Sequence, residues 1–490
     1  MSCNQKLTLP EKEVEILRNA IDIAEKKKGR KVVSDPDVKR IISILEDFLK
    51  KKKLVCYGGT AINNILPLED QFYDKDIELP DYDFYSPNAL DDAKELADIY
   101  FKEGFQEVEA KSGVHHGTYK VYVNFLPVAD ITYLDKSLFK RVQKDGIRVY
   151  GIMYCPPNFL RMNMYLELSR PAGDISRWEK VLKRLILLNK NYPLKGKHCD
   201  PKLFQREFEL SDSKHEEQLY YAVRDSFVDQ GVIFFGGYAS FLYSTYMPSK
   251  QKKLFQKTPD FDVLAEQPEQ AAVMLKERLE DFDYKGIKMI KHDGIGELVA
   301  PHYEIKVKID NIEETVAFIY KPLACHSYNI VKKGNKSVRV ATIDTMLSFY
   351  FAFYYSNREY YDENRILCMA QYLFDVQQKN RLQQKGLLKR FSITCYGTQQ
   401  TLEDMRNEKS EKYKELKGKR NTLEYESWFL RYVPFEVYMD KQERRNSKVK
   451  SMRKTAKSLA QSKTKSKTKA NTKAKTKTRK NLGRLVDIFL

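Results

Sequence analysis

Three aspartates and a pair of glycines carry the first chemistry this sequence suggests. In "LPDYDFYS", residues 79–86, Asp81 and Asp83 are spaced i, i+2. On a β-strand that spacing puts both carboxylates on one face, about 6.5–7 Å apart, with Tyr82 packed behind. A third acid, Asp130, stands in "VADIT" between apolar neighbours, as on a strand that presents one acid to a cleft. Three hard oxygen donors suit Mg²⁺ or Mn²⁺. Two such ions about 3.5–4 Å apart would activate an attacking hydroxyl and stabilise a leaving pyrophosphate. Upstream, in "KKLVCYGGTAINNILP" (52–67), an apolar strand stops at Gly58-Gly59, takes Thr60, and becomes a helix. A Gly-Gly turn leaves bare amides at a helix start, where a phosphate sits well. Gly58, Gly59 and the Thr60 hydroxyl are therefore expected to hold the β- and γ-phosphates of a nucleotide whose metal rests on Asp81, Asp83 and Asp130. Basic residues of "SRPAGDISRWEKVLKR", Arg177 and Lys180 foremost and Arg170, Lys183 and Arg184 beside them, are candidates for contact with phosphate oxygens.

The elements that must position these groups occur twice. "VCYGGTAINNIL" (55–66) is matched by "VIFFGGYASFLY" (232–243), and "LPDYDFYS" by "TPDFDVLA" (258–265). "VADITYL" (128–134) faces "VAFIYKP" (316–322), and "YCPPNFLRMNMYLEL" (154–168) faces "RVATIDTMLSFYFAF" (339–353). Four features in one order imply an internal duplication of an α+β unit. Each unit reads as strand, Gly-Gly, helix, strand with Asp-x-Asp, helix, hairpin and a further strand. In the first unit the helix after "DYDFYS" is expected to be capped by Ser86 with Pro87 at its first position. Two amphipathic helices precede it, opened by Thr8 and by Ser34. In the second copy Asp260 and Asp262 remain, but Phe318 replaces the third acid and Tyr238 replaces Thr60. A phenol there would obstruct the phosphate cradle, so the second copy is expected to be inactive in transfer and to serve as scaffold or binding wall.

Composition bounds the rest. The chain has 490 residues, room for about three domains on the usual prior. Of its net charge of +19, residues 447–484 supply 15 Lys/Arg with no acid, leaving +4 elsewhere. Basicity is thus concentrated in a Lys-Thr/Lys-Ser tail, expected to be disordered and open to polyanions. The seven cysteines are scattered, odd in number and without a CxxC pair, which argues for a reducing compartment and against zinc. The longest apolar run, "MLSFYFAFYY" (346–355), is about half a membrane span, and the N-terminus has no signal-peptide pattern. A cytoplasmic protein without membrane association is expected. The adjacent His115-His116 reads as an exposed turn.

The order Gly-Gly-Thr, Asp-x-Asp, then a lone Asp on a later strand resembles the DNA polymerase β-type nucleotidyltransferase superfamily. More narrowly, "CYGGTAINN", "DYDFYSP", "VADITYL" and "YLELSRPAGDISRWEKVLKRL" resemble the catalytic subunit of the poly(A) polymerases of poxviruses and other large DNA viruses. The resemblance covers most of residues 40–380 and fades beyond 386. It implies an α+β fold with tandem nucleotidyltransferase-like domains, the second degenerate. It also implies untemplated addition of AMP from ATP to a single-stranded RNA 3′ end, with Mg²⁺ or Mn²⁺ and release of pyrophosphate. On this reading residues 1–50 are an N-terminal helical region, 51–200 the catalytic domain, 201–385 the degenerate domain, 386–446 a helical extension and 447–490 the basic tail. A homodimer or a processivity partner stays open, and an infected host cell, viral factory or virion is the implied setting. Two other readings stay open: transfer of another nucleotide or to another acceptor, and a non-catalytic RNA-binding scaffold.

Overall fold

The computed structural model describes residues 8–204, 213–252, 258, 260–296, 298–309, 312–439 and 442, so the basic tail lies outside the described residues. Helices α1 (Leu9–Ser34) and α2 (Pro36–Lys52) lead into β1 (Val55–Tyr57), α3 (Gly58–Ile65), β2 (Tyr82–Ser86), α4 (Ala89–Lys102), β3 (Val108–Ser112), β4 (Thr118–Val123) and β5 (Leu126–Tyr133). Next come α5 (Lys136–Asp145), β6 (Ile147–Val149), β7 (Ile152–Tyr154), α6 (Pro157–Leu168) and α7 (Trp178–Asn191). The second series is α8 (Ser213–Gln230), β8 (Ile233–Phe235), α9 (Gly236–Tyr243), α10 (Ser249–Lys252), β9 (Phe261–Leu264), α11 (Pro268–Asp281), β10 (Lys288–His292), β11 (His302–Ile309) and β12 (Ile312–Tyr320). It ends with β13 (His326–Lys333), β14 (Lys336–Ala341), α12 (Ile343–Ser356) and α13 (Glu363–Lys379). After these come β15 (Cys395–Tyr396), α14 (Leu402–Leu416), α15 (Leu423–Phe429) and β16 (Arg431–Tyr432).

The strands form two mixed sheets of eight, ordered β16-β3-β4-β5-β2-β1-β7-β6 and β10-β11-β12-β9-β8-β14-β13-β15. Without the two-residue strands β15 and β16, the orders are the same unit repeated, with the same parallel and antiparallel pairings at the centre. This α+β fold therefore carries the expected duplication in its topology. The two halves meet through equivalent helices, α6 against α12, where Phe159 packs edge-on to Tyr355 at 5.0 Å and Tyr165 stacks near Phe351 at 6.3 Å. A backbone bond from Ser327 N–H to the Ser169 carbonyl, 2.8 Å, joins the second sheet to the end of α6.

Local starts differ from expectation at two places. Asp35, not Ser34, caps α2, its carboxylate accepting from the Asp37 and Val38 amides. Helix α4 opens after Asn88 rather than at Pro87, because Ser86 ends β2 and spends its hydroxyl on Asp92 while accepting from the Asn88 amide. Among the described residues no helix is long and apolar enough to cross a membrane. The cysteine expectation also needs correction: Cys199 is disulfide-bonded to Cys368 and Cys325 to Cys395, at sequence separations of 169 and 70. Only the fold brings such distant pairs within bonding geometry. Cys56 and Cys155 are buried free thiols.

Candidate active site

Strand alternation places the acids. In β2, Tyr82 and Phe84 are buried while Asp83 between them is only half-buried, so the aspartate faces the open side. Asp83 is in register with Asp130 on parallel β5, and Asp130 is opposite Lys120 on antiparallel β4. The row across the sheet is thus Lys120, Asp130, Asp83, ending at Tyr57 on β1. Asp81 lies just before β2 rather than within it, on an exposed segment after Pro80, which has no amide to give to a ladder.

The glycine turn closes on the same corner. Gly58 has φ +75°, and a Cβ there would fall 2.6 Å from Asp83 Oδ2, so both conformation and contact require glycine. A Cβ at Gly59 would meet the Tyr73 hydroxyl at 2.5 Å and the Arg184 Nη1 at 2.9 Å. Arg184 is buried, donates to the Tyr73 hydroxyl at 2.6 Å and lies 4.9 Å over the Phe72 ring. A guanidinium therefore stands at the N-terminus of α3, beside the bare amides. In the sequence Arg184 is a minor candidate, since the basic stretch offers five cations and burial alone distinguishes this one.

The other candidates fall differently. Thr60 is buried and its hydroxyl donates to the Asp81 carbonyl at 2.6 Å. It fixes the chain that carries the acids instead of facing a phosphate, a correction that follows from its inward position on α3. Arg177 is exposed and its Nε pairs with Glu167 at 3.2 Å, while Lys180 is exposed on α7. Both act on the acids through space, Arg177 on Asp83 and Lys180 on Asp81. His115 and His116 are exposed as expected, but His116 also stacks on Trp428 at 4.1 Å. That contact belongs to the extension, whose β16 pairs with β3.

Electrostatically the cluster is under-neutralised. Burial first, then Asp81 and Asp130, push the Asp83 carboxyl up to about 7. Loss of hydration, then Asp130, raises Asp81. Lys120, despite a desolvation cost, is held above its ordinary range by its hydrogen bond to Asp130. Excess negative charge on hard oxygen donors is what a divalent cation neutralises, so the donor set fits Mg²⁺ or Mn²⁺. As the side chains stand, no three His, Cys, Asp or Glu among the described residues converge to hold an ion, and Asp130 is turned to Lys120.

The second unit preserves the frame and closes the site. Gly236 has φ +72°, and Asp262 is in register with Phe318, as Asp83 is with Asp130. Tyr238 does not obstruct a cradle as expected. Like Thr60 it points inward, and its ring packs among Phe234, Phe261 and Tyr220. Asp260 has no exposure and is paired at 2.7 Å with Arg365 from α13. Phe318 stacks on Tyr360 at 5.2 Å, and His302 stacks on Tyr320 at 4.5 Å. These rings fill the face where the first unit presents acids.

Two buried imidazoles here make stability acid-sensitive. His302 is bonded to the Ala300 carbonyl and the Tyr360 hydroxyl, and burial drives its pKa down to about 4. His326, with neither ring nitrogen hydrogen-bonded, is driven down to about 3, by burial first and by Arg170 second. The unfolded imidazoles protonate near pH 6.5, so the stability these two groups contribute is complete above that pH and falls as pH drops toward 4. Each imidazole then costs about 1.4 kcal/mol per pH unit. In thermal melts between pH 6.5 and 5 the midpoint of wild type should fall more steeply than that of His326→Gln.

Comparison with known proteins points one way. Residues 43–174 match the sequence profile of the family described as poly(A) polymerase catalytic subunit. A proposed poly(A) polymerase catalytic subunit of African swine fever virus (strain Badajoz 1971 Vero-adapted) is 32% identical over 178 residues, 35% of this chain and 36% of the relative. One from Acanthamoeba polyphaga mimivirus is 31% identical over 186 residues, 37% of this chain and 30% of the relative. The matched region spans about a third of these relatives' length. The crystal structure of the Megavirus polyadenylate synthase superposes with a TM-score of 0.71 at 20% identity, covering 92% of this chain and 91% of that one.

Proposed function

From a chain that bears the poly(A) polymerase catalytic-subunit pattern over residues 43–174 and shares its fold with a viral polyadenylate synthase, we propose a template-independent poly(A) polymerase. It transfers AMP from ATP to the 3′ end of single-stranded RNA. The RNA 3′ oxygen bonds to the α-phosphorus, the bond to the bridging oxygen breaks, and pyrophosphate leaves. The observation that carries this reading is the register of Asp83 beside Asp130, with Asp81 next to them, at a glycine turn where Asp83 takes the space of a Cβ.

Asp81, Asp83 and Asp130 would hold Mg²⁺ or Mn²⁺, which supplies Lewis-acid activation of the hydroxyl and neutralises charge on the leaving group. The Gly58 and Gly59 amides and Arg184 hold the triphosphate at the α3 N-terminus, with Arg177 and Lys180 adding long-range positive charge. Asp130, the acid on the strand farther from the glycine turn, is the one we assign to take the hydroxyl proton. Thr60 positions Asp81. The second unit, with its acid capped by Arg365 and its face filled by rings, braces the first through α12. Phosphoryl transfer asks a protein for positioning and charge neutralisation, in keeping with a site that presents no His or Cys nucleophile among the described residues. The basic tail suits a polyanionic acceptor.

The test is extension of a 5′-labelled single-stranded RNA with each of the four NTPs and with Mg²⁺ or Mn²⁺. A ladder with ATP alone is the expected result. A ladder with another nucleotide would reassign the substrate. No product from folded, RNA-bound protein with any NTP and either metal would favour the scaffold.

A further inference from the structure

Lys120 is a cation built into the acid cluster. It stands opposite Asp130 across β4 and β5, its ammonium donates to Asp130 Oδ2, and its charge also reaches Asp81 and Asp83. The two side chains keep 36% and 23% exposure, so the pair can part without opening the core. The second unit solves the same problem permanently. There the register position of Lys120 is occupied by Glu304, and the balancing charge comes from Arg365, paired with a fully buried Asp260. A displaceable lysine therefore accompanies the intact set of acids, and a locked arginine the incomplete one.

We propose that Lys120 is an exchangeable counterion: it holds Asp130 while no divalent cation is bound, competes with that cation for the carboxylate, and moves to the nucleotide's triphosphate when metal and nucleotide enter together. A cation arriving alone must strip the ammonium of its partner and leave it uncompensated at the cleft wall. A cation arriving with a triphosphate brings the ammonium a new anion, within the sweep of a flexible four-carbon stem. Metal loading is thereby coupled to nucleotide, which keeps the acids from binding a free ion tightly between turnovers. Lys120 acts as a positioning residue until it meets the triphosphate. This inference rests on the reading of Asp81, Asp83 and Asp130 as the metal site.

The experiment measures Mn²⁺ binding to the full chain by electron paramagnetic resonance, with and without a non-hydrolysable ATP analogue. The proteins are wild type, Lys120→Met, Lys120→Gln, Lys120→Arg and Asp81→Ala/Asp83→Ala, each checked for folding by thermal melt. Without nucleotide, Lys120→Met and Lys120→Gln should bind Mn²⁺ about tenfold more tightly than wild type, within the usual range of coupling between two ligands. The factor by which the analogue tightens Mn²⁺ binding should shrink toward one in both, and Lys120→Arg should behave as wild type. If wild type binds Mn²⁺ at the aspartates but neither neutral variant changes affinity or coupling, the lysine inference fails and the metal-site reading stands. Weaker binding in both variants overturns it too, since Lys120 would then only support Asp130. If wild type and the lysine variants bind no more Mn²⁺ than Asp81→Ala/Asp83→Ala, the site reading itself fails and the inference with it.

Discussion

Asp81→Ala/Asp83→Ala should lose RNA extension by about 10³-fold or more while remaining folded, because two of three donors to a cation that stabilises transition-state charge are removed. The fold does not depend on these charges and is burdened by both, since desolvation and neighbouring acids raise Asp81 as well as Asp83. The Asp83 carboxyl is pushed up to about 7 by burial and its acidic neighbours. An unfolded aspartate ionises near pH 4, so metal-free protein loses stability from this group as pH rises from about 4 to about 7, the unfolded chain giving up its proton first. Asp83→Asn removes that penalty and should melt at or above the wild-type temperature at pH 7.5 without metal, and yet be inactive. Gel-resolved extension and thermal melts on the same preparations check both halves. Substantial residual polymerisation in the folded double variant would move the chemistry away from these acids. A fall in melting temperature for Asp83→Asn would show that the carboxylate is a structural ligand.

Arg365→Met should destabilise the protein by about 3–5 kcal/mol, because it removes the ion-pair partner of a carboxylate that has no exposure. The cause is the partner left behind more than the bond lost. Asp260→Asn/Arg365→Met should accordingly recover much of the deficit, since neither charge then remains. Denaturant unfolding of the two single variants and the double variant reads the coupling directly. Near-additive losses would mean that the arginine contributes packing alone and that the second acid pair is neutralised by something else. Both single variants should leave nucleotide addition intact at temperatures where they are folded, since the second unit braces the site without supplying a group to it.

The sequence by itself determined the duplication, the fold class and the location of the acids. Gly-Gly turns, Asp-x-Asp strands and a late apolar strand are local patterns whose periods of two and 3.6 residues survive in the chain. They carry enough order to show one unit twice, and a pattern long enough to resemble a known family. Phe318 in place of an acid was legible for the same reason, since register follows from alternation. Tertiary structure alone decided which cations meet those acids. Lys120 and Arg365 come from a neighbouring strand and a distant helix; alternation along the hairpin with Thr118, Tyr122 and Asn124 turns Lys120 toward the cleft, yet it does not say that its partner is an aspartate 10 residues away, and nothing local links Arg365 to one 105 residues away. Arg184 was one basic residue among several until burial and the space beside Gly59 singled it out. Thr60 and Tyr238 looked like cradle residues because they follow the glycines, yet α3 and α9 turn that position into the core. The cysteine pairs, too, exist only once the fold has brought residues 169 and 70 positions apart together. Strand and helix periodicity is written residue by residue, whereas charge pairing and side-chain direction depend on which surfaces pack, and that is a property of the assembled chain.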